Sequence, residues 1–176
     1  MRSTPIRLAP KDADRYIAFR KQMLADSPWA FSANPDDDVA LESEFLNSTL
    51  AQSDNAIMAI AGDKDSSSLV AAAGIYRVKN PKFSHRAKLW GVFVDPGHRG
   101  HGLGRAVTAA ALELARRWHG VAHIDVGVSD NSPAALRIYQ SLGFIEWGRE
   151  PESTQHNGQR YDEIFLSLRI ERSAGP

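Results

Sequence analysis

Four glycines fall within eight residues of the chain, at Gly97, Gly100, Gly102 and Gly104. An apolar stretch precedes them and an alanine- and leucine-rich stretch follows, so they lie between a predicted strand and the start of a predicted helix. A glycine cluster is often only a flexible turn. At this junction, however, unpaired amides and the positive end of the helix dipole converge. The position therefore predicts a phosphate or pyrophosphate site, with Arg99 and Arg105 as charge partners.

The spacing of the glycines separates this site from two common phosphate loops. A Walker loop needs lysine and then serine or threonine after its last glycine, but Gly104 is followed by Arg105 and Ala106. A dinucleotide fingerprint needs two residues between its second and third glycines, whereas only Leu103 separates Gly102 from Gly104. A nucleotide-binding domain of either kind is therefore disfavoured.

A second motif, NSPAALRIYQSLGFIEWGRE, begins about thirty residues downstream of the glycines at Asn131. The two segments together resemble the acetyl-CoA motifs of the GNAT superfamily of N-acetyltransferases. The first is similar to its pyrophosphate loop, in which arginine, two residues, glycine, one residue and glycine follow a strand. The second is similar to the motif in which a polar residue, an alanine and a tyrosine precede a Leu-Gly-Phe turn. The detailed resemblance spans residues 88–148.

The resemblance implies how acetyl-CoA is held. In the family the strand before the loop splays from its parallel neighbour, and pantetheine pairs with the exposed main chain. Here that strand is residues 89–95, so Phe93 and Val94 would hold pantetheine, and one of their N–H groups would polarise the thioester carbonyl. Amides of the loop would hold the pyrophosphate, which gives Arg99, Gly100, His101, Gly102, Leu103 and Gly104 as cofactor-binding residues. The polar contact of the second motif is either Asn131 or Ser132.

The resemblance also assigns Tyr139 as the acid that protonates the departing thiolate, because a phenol remains protonated at neutral pH. The alternative role for Tyr139 is packing its ring on the core. The general base stays open, since the family's carboxylate positions correspond here to Lys88 and Gly127, and neither can serve. The remaining candidates are a chain of water molecules or one of the side chains of His85, Asp125, Asp162 and Glu163.

The acceptor of the acetyl group should be a primary amine, either a small molecule or a peptide. In the family it enters between the loop joining the first two helices and the final strand pair, here residues 29–36 and 152–160. Trp29 and Phe31 lie in the first of these and are either pocket walls or core residues. The acidic run at residues 36–38 favours a helix N-terminus and offers a weaker attraction for cationic amines.

Histidines flank the glycines and the following helix, at His98, His101, His119 and His123. No metal-binding spacing such as HExxH accompanies them. We therefore expect solvated histidines and no metal.

The elements around these motifs follow from hydrophobic periodicity. A short strand precedes a helix that Asp12 caps and that ends near Ser27, with apolar residues at helical spacing that include Tyr16, Phe19 and Met23. A second helical pattern runs from Val39, and its apolar side includes Val39 and Phe45. Two apolar strands joined by GDKDSSS predict an antiparallel pair, and a third strand leads into the glycines. A strand, a helix and two final strands follow the helix that Gly120 ends. The pattern predicts an α/β (α+β) GNAT fold with a mixed sheet of about seven strands, splayed beside the glycine segment, and about four helices.

Composition narrows the class of protein. Lysine plus arginine equals aspartate plus glutamate at 21 each, so we expect neither a nucleic acid nor a membrane as partner. The chain has no cysteine, which excludes disulfides and thiolate chemistry. It also has no apolar segment typical of a signal peptide. We expect one cytoplasmic domain over residues 1–176, for which a homodimer is one possible assembly. The main alternative to an enzyme is a sensor that binds acyl-CoA without turnover.

Overall fold

The computed structural model describes residues 4–62 and 68–170 of the chain. Most of the predicted GDKDSSS turn, residues 63–67, lies outside these ranges. The helices are α1 (Ala13–Asp26), α2 (Ser43–Leu50), α3 (Leu103–Arg116) and α4 (Pro133–Ser141). The strands are β1 (Ile6–Arg7), β2 (Asn55–Ala61), β3 (Leu69–Arg77), β4 (Arg86–Val94), β5 (His123–Ser129), β6 (Ile145–His156) and β7 (Gln159–Arg169).

The strands form one mixed sheet in the order β1-β2-β3-β4-β5-β7-β6. β2 and β3 are antiparallel, as the two apolar runs predict, and β4 and β5 are the parallel pair that flanks α3. The predicted fold class, a mixed seven-stranded sheet with four helices, is confirmed. Within the described ranges no helix is both long and apolar enough to cross a lipid bilayer.

Two hydrophobic clusters form the core. The smaller cluster joins the N-terminal helices to the sheet, and α1 contributes Tyr16, Phe19 and Met23 at the helical spacing read from the sequence. The larger cluster packs α3 and α4 against the central strands, with Val107, Ala111 and other residues of α3 fully buried. The sheet is thus fixed by helices on both sides, which makes it a rigid support for loops at its ends.

The second helix differs from its prediction. The periodic pattern starts at Val39, but residues 39–41 form a 3-10 turn and α2 begins only at Ser43. The break falls at Glu42, whose φ of −86° and ψ of 118° are extended rather than helical. As a result Val39 and Phe45, predicted on the apolar side, remain 50% and 44% exposed.

Candidate active site

The cleft at the centre of the sheet exists because β4 and β5 separate. They pair only at residues 86–88 with residues 123–125, although both strands continue beyond this point. β4 also carries a bulge, since Ala72 pairs with Phe93 and Gly74 with Trp90, which leaves two residues of β4 opposite one of β3. Gly91 in the bulge has a φ of +57°, which favours glycine. Main-chain groups of β4 past the bulge therefore face an open gap rather than a neighbouring strand.

The glycine segment follows β4 and leads into α3. Asp95 starts the turn, because its carboxylate accepts hydrogen bonds from the Gly97 N–H at 3.0 Å and from Gln22. It also lies 2.8 Å from His98 Nδ1, and this hydrogen bond contributes most to lowering the pKa of Asp95. Gly102 then occupies the N-cap of α3 with a φ of +76°. This left-handed conformation explains why glycine stands there.

Six successive backbone N–H groups, those of residues 100–105, donate no hydrogen bond to any part of the chain that the structure describes. The first turn of a helix always leaves such donors, and the preceding glycines extend the row. Unpaired amides at the positive end of a helix dipole form an anion site. This row has the donors that a pyrophosphate requires.

A cleft of about 590 Å³, here called the glycine cleft, runs past these amides. It brings together most of the residues predicted to bind the cofactor: Phe93, Val94, Arg99, Gly100, Gly102, Leu103, Gly104, Asn131 and Ser132. His101 is not among the residues that line it, because its imidazole turns back to within 3.3 Å of the His98 carbonyl oxygen. Only the backbone amide of His101, and not its side chain, is therefore placed to bind the cofactor as predicted.

The Arg99 side chain is engaged elsewhere in this structure. Its guanidinium forms an ion pair with Asp26 at the end of α1, and its Nε donates to the Val94 carbonyl oxygen at 3.2 Å. Burial raises the pKa of Asp26, but hydrogen bonds from Ser27 and Arg99 lower it to a net value below its usual range. The Arg99 amide donates to the Pro96 carbonyl oxygen at 3.4 Å, so the free amides begin one residue later.

Asn131 and Ser132 both line the glycine cleft at the start of α4. Ser132 is the N-cap residue of α4, and its hydroxyl makes no capping hydrogen bond. Its backbone N–H donates to the Ser129 carbonyl oxygen at 2.9 Å. Either polar side chain is therefore available for a ligand, and the choice between them stays open.

Tyr139 is buried and is not among the residues that line the glycine cleft. It is 4% exposed, belongs to the larger core cluster, and its ring centroid lies 5.8 Å from that of Phe144. Burial raises the pKa of its hydroxyl, so the phenol stays protonated near neutral pH. Tyr139 therefore packs its ring in the core, and its role as an acid remains a prediction.

A second and larger cavity of about 870 Å³ lies on the other side of the bulge, and we call it the aromatic cavity. Its aromatic lining consists of Trp29, Phe31, Tyr76, Phe83, Trp90, Trp147 and Phe165. Trp29, Ala30 and Phe31 line both cavities, so the two spaces meet at this 3-10 turn. Trp29 and Phe31 are partly buried, and Phe31 also packs against the smaller core cluster, so the two roles stay open.

A buried ion pair supports this wall and was not anticipated from the sequence. Arg20 of α1 donates from Nε to Asp38 at 2.7 Å, and the two side chains are 5% and 6% exposed. Its guanidinium carbon lies 5.3 Å from the Phe31 ring centroid and 5.6 Å from that of Trp90. Asp38 also caps the following 3-10 turn, as the helix-terminus interpretation of the acidic run requires. The available signal was the position of Arg20 four residues after Tyr16, on the buried face of α1.

All four side chains considered as the base, His85, Asp125, Asp162 and Glu163, line the aromatic cavity. Lys88 and Gly127, the two positions where the family carries a carboxylate, line it as well. In the described residues no group of three or more His, Asp or Glu side chains could hold a metal ion. The cavity wall therefore offers three carboxylates and one imidazole as candidate bases.

Residues 19–144 match the Acetyltransferase (GNAT) family. The chain is 32% identical over 143 residues to the N-alpha-acetyltransferase RimI of Mycobacterium tuberculosis, which covers 80% of this chain and 77% of that protein. It is 33% identical over 86 residues to the L-methionine sulfoximine/L-methionine sulfone acetyltransferase of Salmonella typhimurium, a match to 48% of this chain and 49% of that protein. The chain thus spans about half the length of this relative.

The fold has a solved counterpart in a putative acetyltransferase from Salmonella typhimurium, determined with its cofactor acetyl-CoA. The two structures superpose with a TM-score of 0.80 at 19% identity, over 100% of this chain and 98% of that one. At this identity the superposition establishes the fold alone.

Proposed function

Because the chain belongs to the Acetyltransferase (GNAT) family, we propose that it transfers an acetyl group from acetyl-CoA to a primary amine by direct attack in a ternary complex. The observation that carries the proposal is the row of unpaired amides at residues 100–105, which opens onto the glycine cleft. An anion with several acceptor oxygens fits such a row, and the pyrophosphate of acetyl-CoA is an anion of this kind.

The gap beside β4 supports the placement of the pantetheine arm. Phe93 and Val94 lie past the bulge and line the glycine cleft, where β5 has already diverged from β4. Their main-chain groups can pair with the amides of an extended arm as a neighbouring strand would. One of their two backbone N–H groups is proposed to donate to the thioester carbonyl, where negative charge develops during attack. The Val94 N–H is the one on the side of the gap, because the Asp95 N–H, one residue further on, donates to the Val70 carbonyl oxygen of β3.

Acetyl-CoA supplies an acetyl group activated as a thioester. Tyr139 is the proposed donor of a proton to the departing sulfur, a role for which burial keeps its hydroxyl protonated. Asn131 or Ser132, at the start of α4, is proposed to bind the pantetheine arm of acetyl-CoA.

The aromatic cavity is the proposed acceptor site. It meets the glycine cleft at Trp29 and Phe31, so a nitrogen placed there has access to the acetyl group from the side opposite the pyrophosphate. Apolar rings such as Trp90 and Trp147 favour an acceptor whose amine carries an apolar group. Both a small-molecule amine and the amino terminus of a peptide meet this description.

Thiol release from acetyl-CoA tests the proposal in the presence of a panel of amines: L-methionine sulfoximine, L-phenylalanine, a primary alkylamine and a peptide with a free N-terminal alanine. Since the chain has no cysteine, the protein itself adds no thiol signal. We expect saturable release with at least one amine, and binding of acetyl-CoA but not of ATP or NAD. Tight acetyl-CoA binding without turnover on any amine would favour the sensor instead, and preferential binding of ATP or NAD would overturn the cofactor assignment.

A further inference from the structure

Gly127 in β5 leaves a space that a neighbouring carboxylate fills. A Cβ atom on Gly127 would lie 2.0 Å from Glu163 Oε1 and 2.9 Å from its Cδ, so the carboxylate rests directly over this glycine. Glu163 belongs to β7 and pairs with Ser129, two residues from Gly127 along β5. Residues two apart on a strand share a face, and here that face lines the aromatic cavity. A carboxylate from β7 thus occupies the place of a side chain on β5.

The surroundings of Glu163 leave its carboxylate short of donors. It is partly buried, and its only hydrogen-bond donor among the described residues is the Ser153 hydroxyl, 3.4 Å from Oε2. That hydroxyl lies closer to Glu150 Oε2, at 2.9 Å, and has one proton to donate. Glu150 stands opposite Glu163 on β6 but is exposed and outside the cavity wall, so its share of the Ser153 proton leaves the Glu163 carboxylate without a full donor. An ammonium group, with three N–H donors, meets this need.

The other candidates for the base are engaged or distant. Asp125 is held by two hydrogen bonds from Arg86, at 2.6 and 2.5 Å. Asp162 accepts the Glu152 N–H at 3.0 Å and an Arg149 N–H at 3.2 Å, and its pKa is lowered, chiefly by the backbone hydrogen bond. A carboxylate stabilised in this way is a weaker base.

His85 is exposed and precedes the first residue of β4. Gly91 at the bulge lies six positions further along the chain, which is about 20 Å along an extended strand. In the described residues, Glu163 is therefore the one carboxylate among the candidates that lines the cavity without an ion-pair partner.

We propose that the Glu163 carboxylate binds the ammonium group of the acceptor and takes one of its protons. This inference rests on the proposed acetyl transfer. The freed nitrogen lone pair forms the N–C bond at the thioester carbon while the C–S bond breaks. A second proton leaves the nitrogen and the thiolate gains one, so the products are an amide, a thiol and the proton that Glu163 passes to solvent.

The matched variants Glu163→Gln and Glu150→Gln test this role with the panel amine of highest kcat/KM. Both remove one negative charge, but Glu150 is exposed and lies outside the cavity wall. At neutral pH we expect Glu163→Gln to lower kcat/KM by at least about 100-fold, the scale of lost general-base catalysis. Glu150→Gln should stay within about threefold of the wild type, as for other surface substitutions. The loss in Glu163→Gln should shrink as pH rises towards the pKa of the free amine, because the acceptor then arrives neutral.

Gly127→Ala moves the carboxylate without removing it. The three atoms nearest to the added Cβ all belong to the flexible Glu163 side chain, so the fold should tolerate it. A displacement of this size should lower kcat/KM by roughly ten- to a hundredfold. In a Glu163→Gln background, Gly127→Ala should lower kcat/KM no further, because no base is left to displace. If Gly127→Ala lowers kcat/KM in the Glu163→Gln background as much as it does in the wild type, the proposal is contradicted.

Calorimetry gives a readout independent of turnover. With CoA bound, Glu163→Gln should weaken binding of the amine while Glu150→Gln should not, and acetyl-CoA affinity should be the same in all three proteins. If the wild type acetylates an amine and Glu163→Gln does so within about threefold at every pH, the role of Glu163 is wrong and the proposed function stands. If the wild type acetylates no amine in the panel, the proposed acetyl transfer itself is contradicted, and with it the role of Glu163.

Discussion

Gly102 provides a direct test of the anion site, because the chain contains a glycine with the same backbone conformation elsewhere. Gly102 has a φ of +76° and Gly158 a φ of +79°, and a Cβ on either would meet no atom within 4 Å. Gly102 faces the glycine cleft, whereas Gly158 lies between β6 and β7 in the turn of the final hairpin. Gly102→Ala and Gly158→Ala therefore impose the same backbone cost, and only the first places a methyl group beside the free amides.

The expected magnitudes separate folding from binding. A non-glycine residue in the left-handed region costs about 1–2 kcal/mol, so both variants should lose a similar amount of stability. For a domain of this size that loss lowers Tm by roughly 2–8 °C. Crowding the pyrophosphate out of one charge-assisted hydrogen bond costs about 1.5–3 kcal/mol more. That second cost falls on Gly102→Ala alone and lowers acetyl-CoA affinity by roughly ten- to a hundredfold.

Titration calorimetry with acetyl-CoA and thermal melting of the free proteins measure the two quantities separately. We expect matched decreases in Tm and a loss of affinity in Gly102→Ala only. Equal acetyl-CoA affinities in the two variants would refute the placement of the pyrophosphate at these amides. Weaker binding in both would indicate that lost stability, rather than the cleft, controls affinity.

Three further predictions concern the core and the charges around the site. Tyr139→Phe keeps the buried ring but removes the hydroxyl, so kcat should fall by at least about tenfold in steady-state assays while Tm barely changes; an unchanged kcat would leave only the packing role. Asp38→Ala leaves the buried Arg20 guanidinium unpaired and should lower the free energy of unfolding in urea by about 3–5 kcal/mol; a loss below about 1 kcal/mol would show that water replaces the carboxylate. The hydrogen bond from His98 lowers the pKa of Asp95, so its contribution to stability should be present above the usual carboxyl pKa and disappear as pH falls through the lowered value. Melting curves from neutral to acidic pH should show a smaller acid-induced loss in Asp95→Asn than in the wild type, and identical losses would count against that linkage.

Local features of the sequence predicted much of the scaffold. The spacing of Tyr16, Phe19 and Met23 predicted α1 because a helix brings such residues onto one face. Glycines before an alanine-rich run predicted an anion site at the start of α3, since glycine adopts the left-handed conformation seen at Gly102 without steric cost. These predictions required no knowledge of distant contacts.

The features that the sequence did not predict depend on pairings between distant segments. Gly127 read alone indicates only that β5 lacks a carboxylate, and the position of Glu163 follows from a strand register 36 residues further along the chain. The partner of Arg20 likewise depends on where Asp38 returns to α1. A strand register is set by the whole sheet and not by local propensity. For this reason the sequence names the carboxylates as candidates, but only the folded chain shows that they line one aromatic cavity and which of them is unpaired.

Mass analysis of the acceptor tests the central claim most directly, because it follows the acetyl group itself. The protein is incubated with acetyl-CoA and the best amine of the panel, and the acetylated amine and free CoA are quantified together. Acetyl transfer predicts one N-acetylated amine for each CoA released, with both products absent when protein is omitted. Release of CoA without an acetylated amine, or acetyl-CoA binding with neither product from any amine, would contradict it.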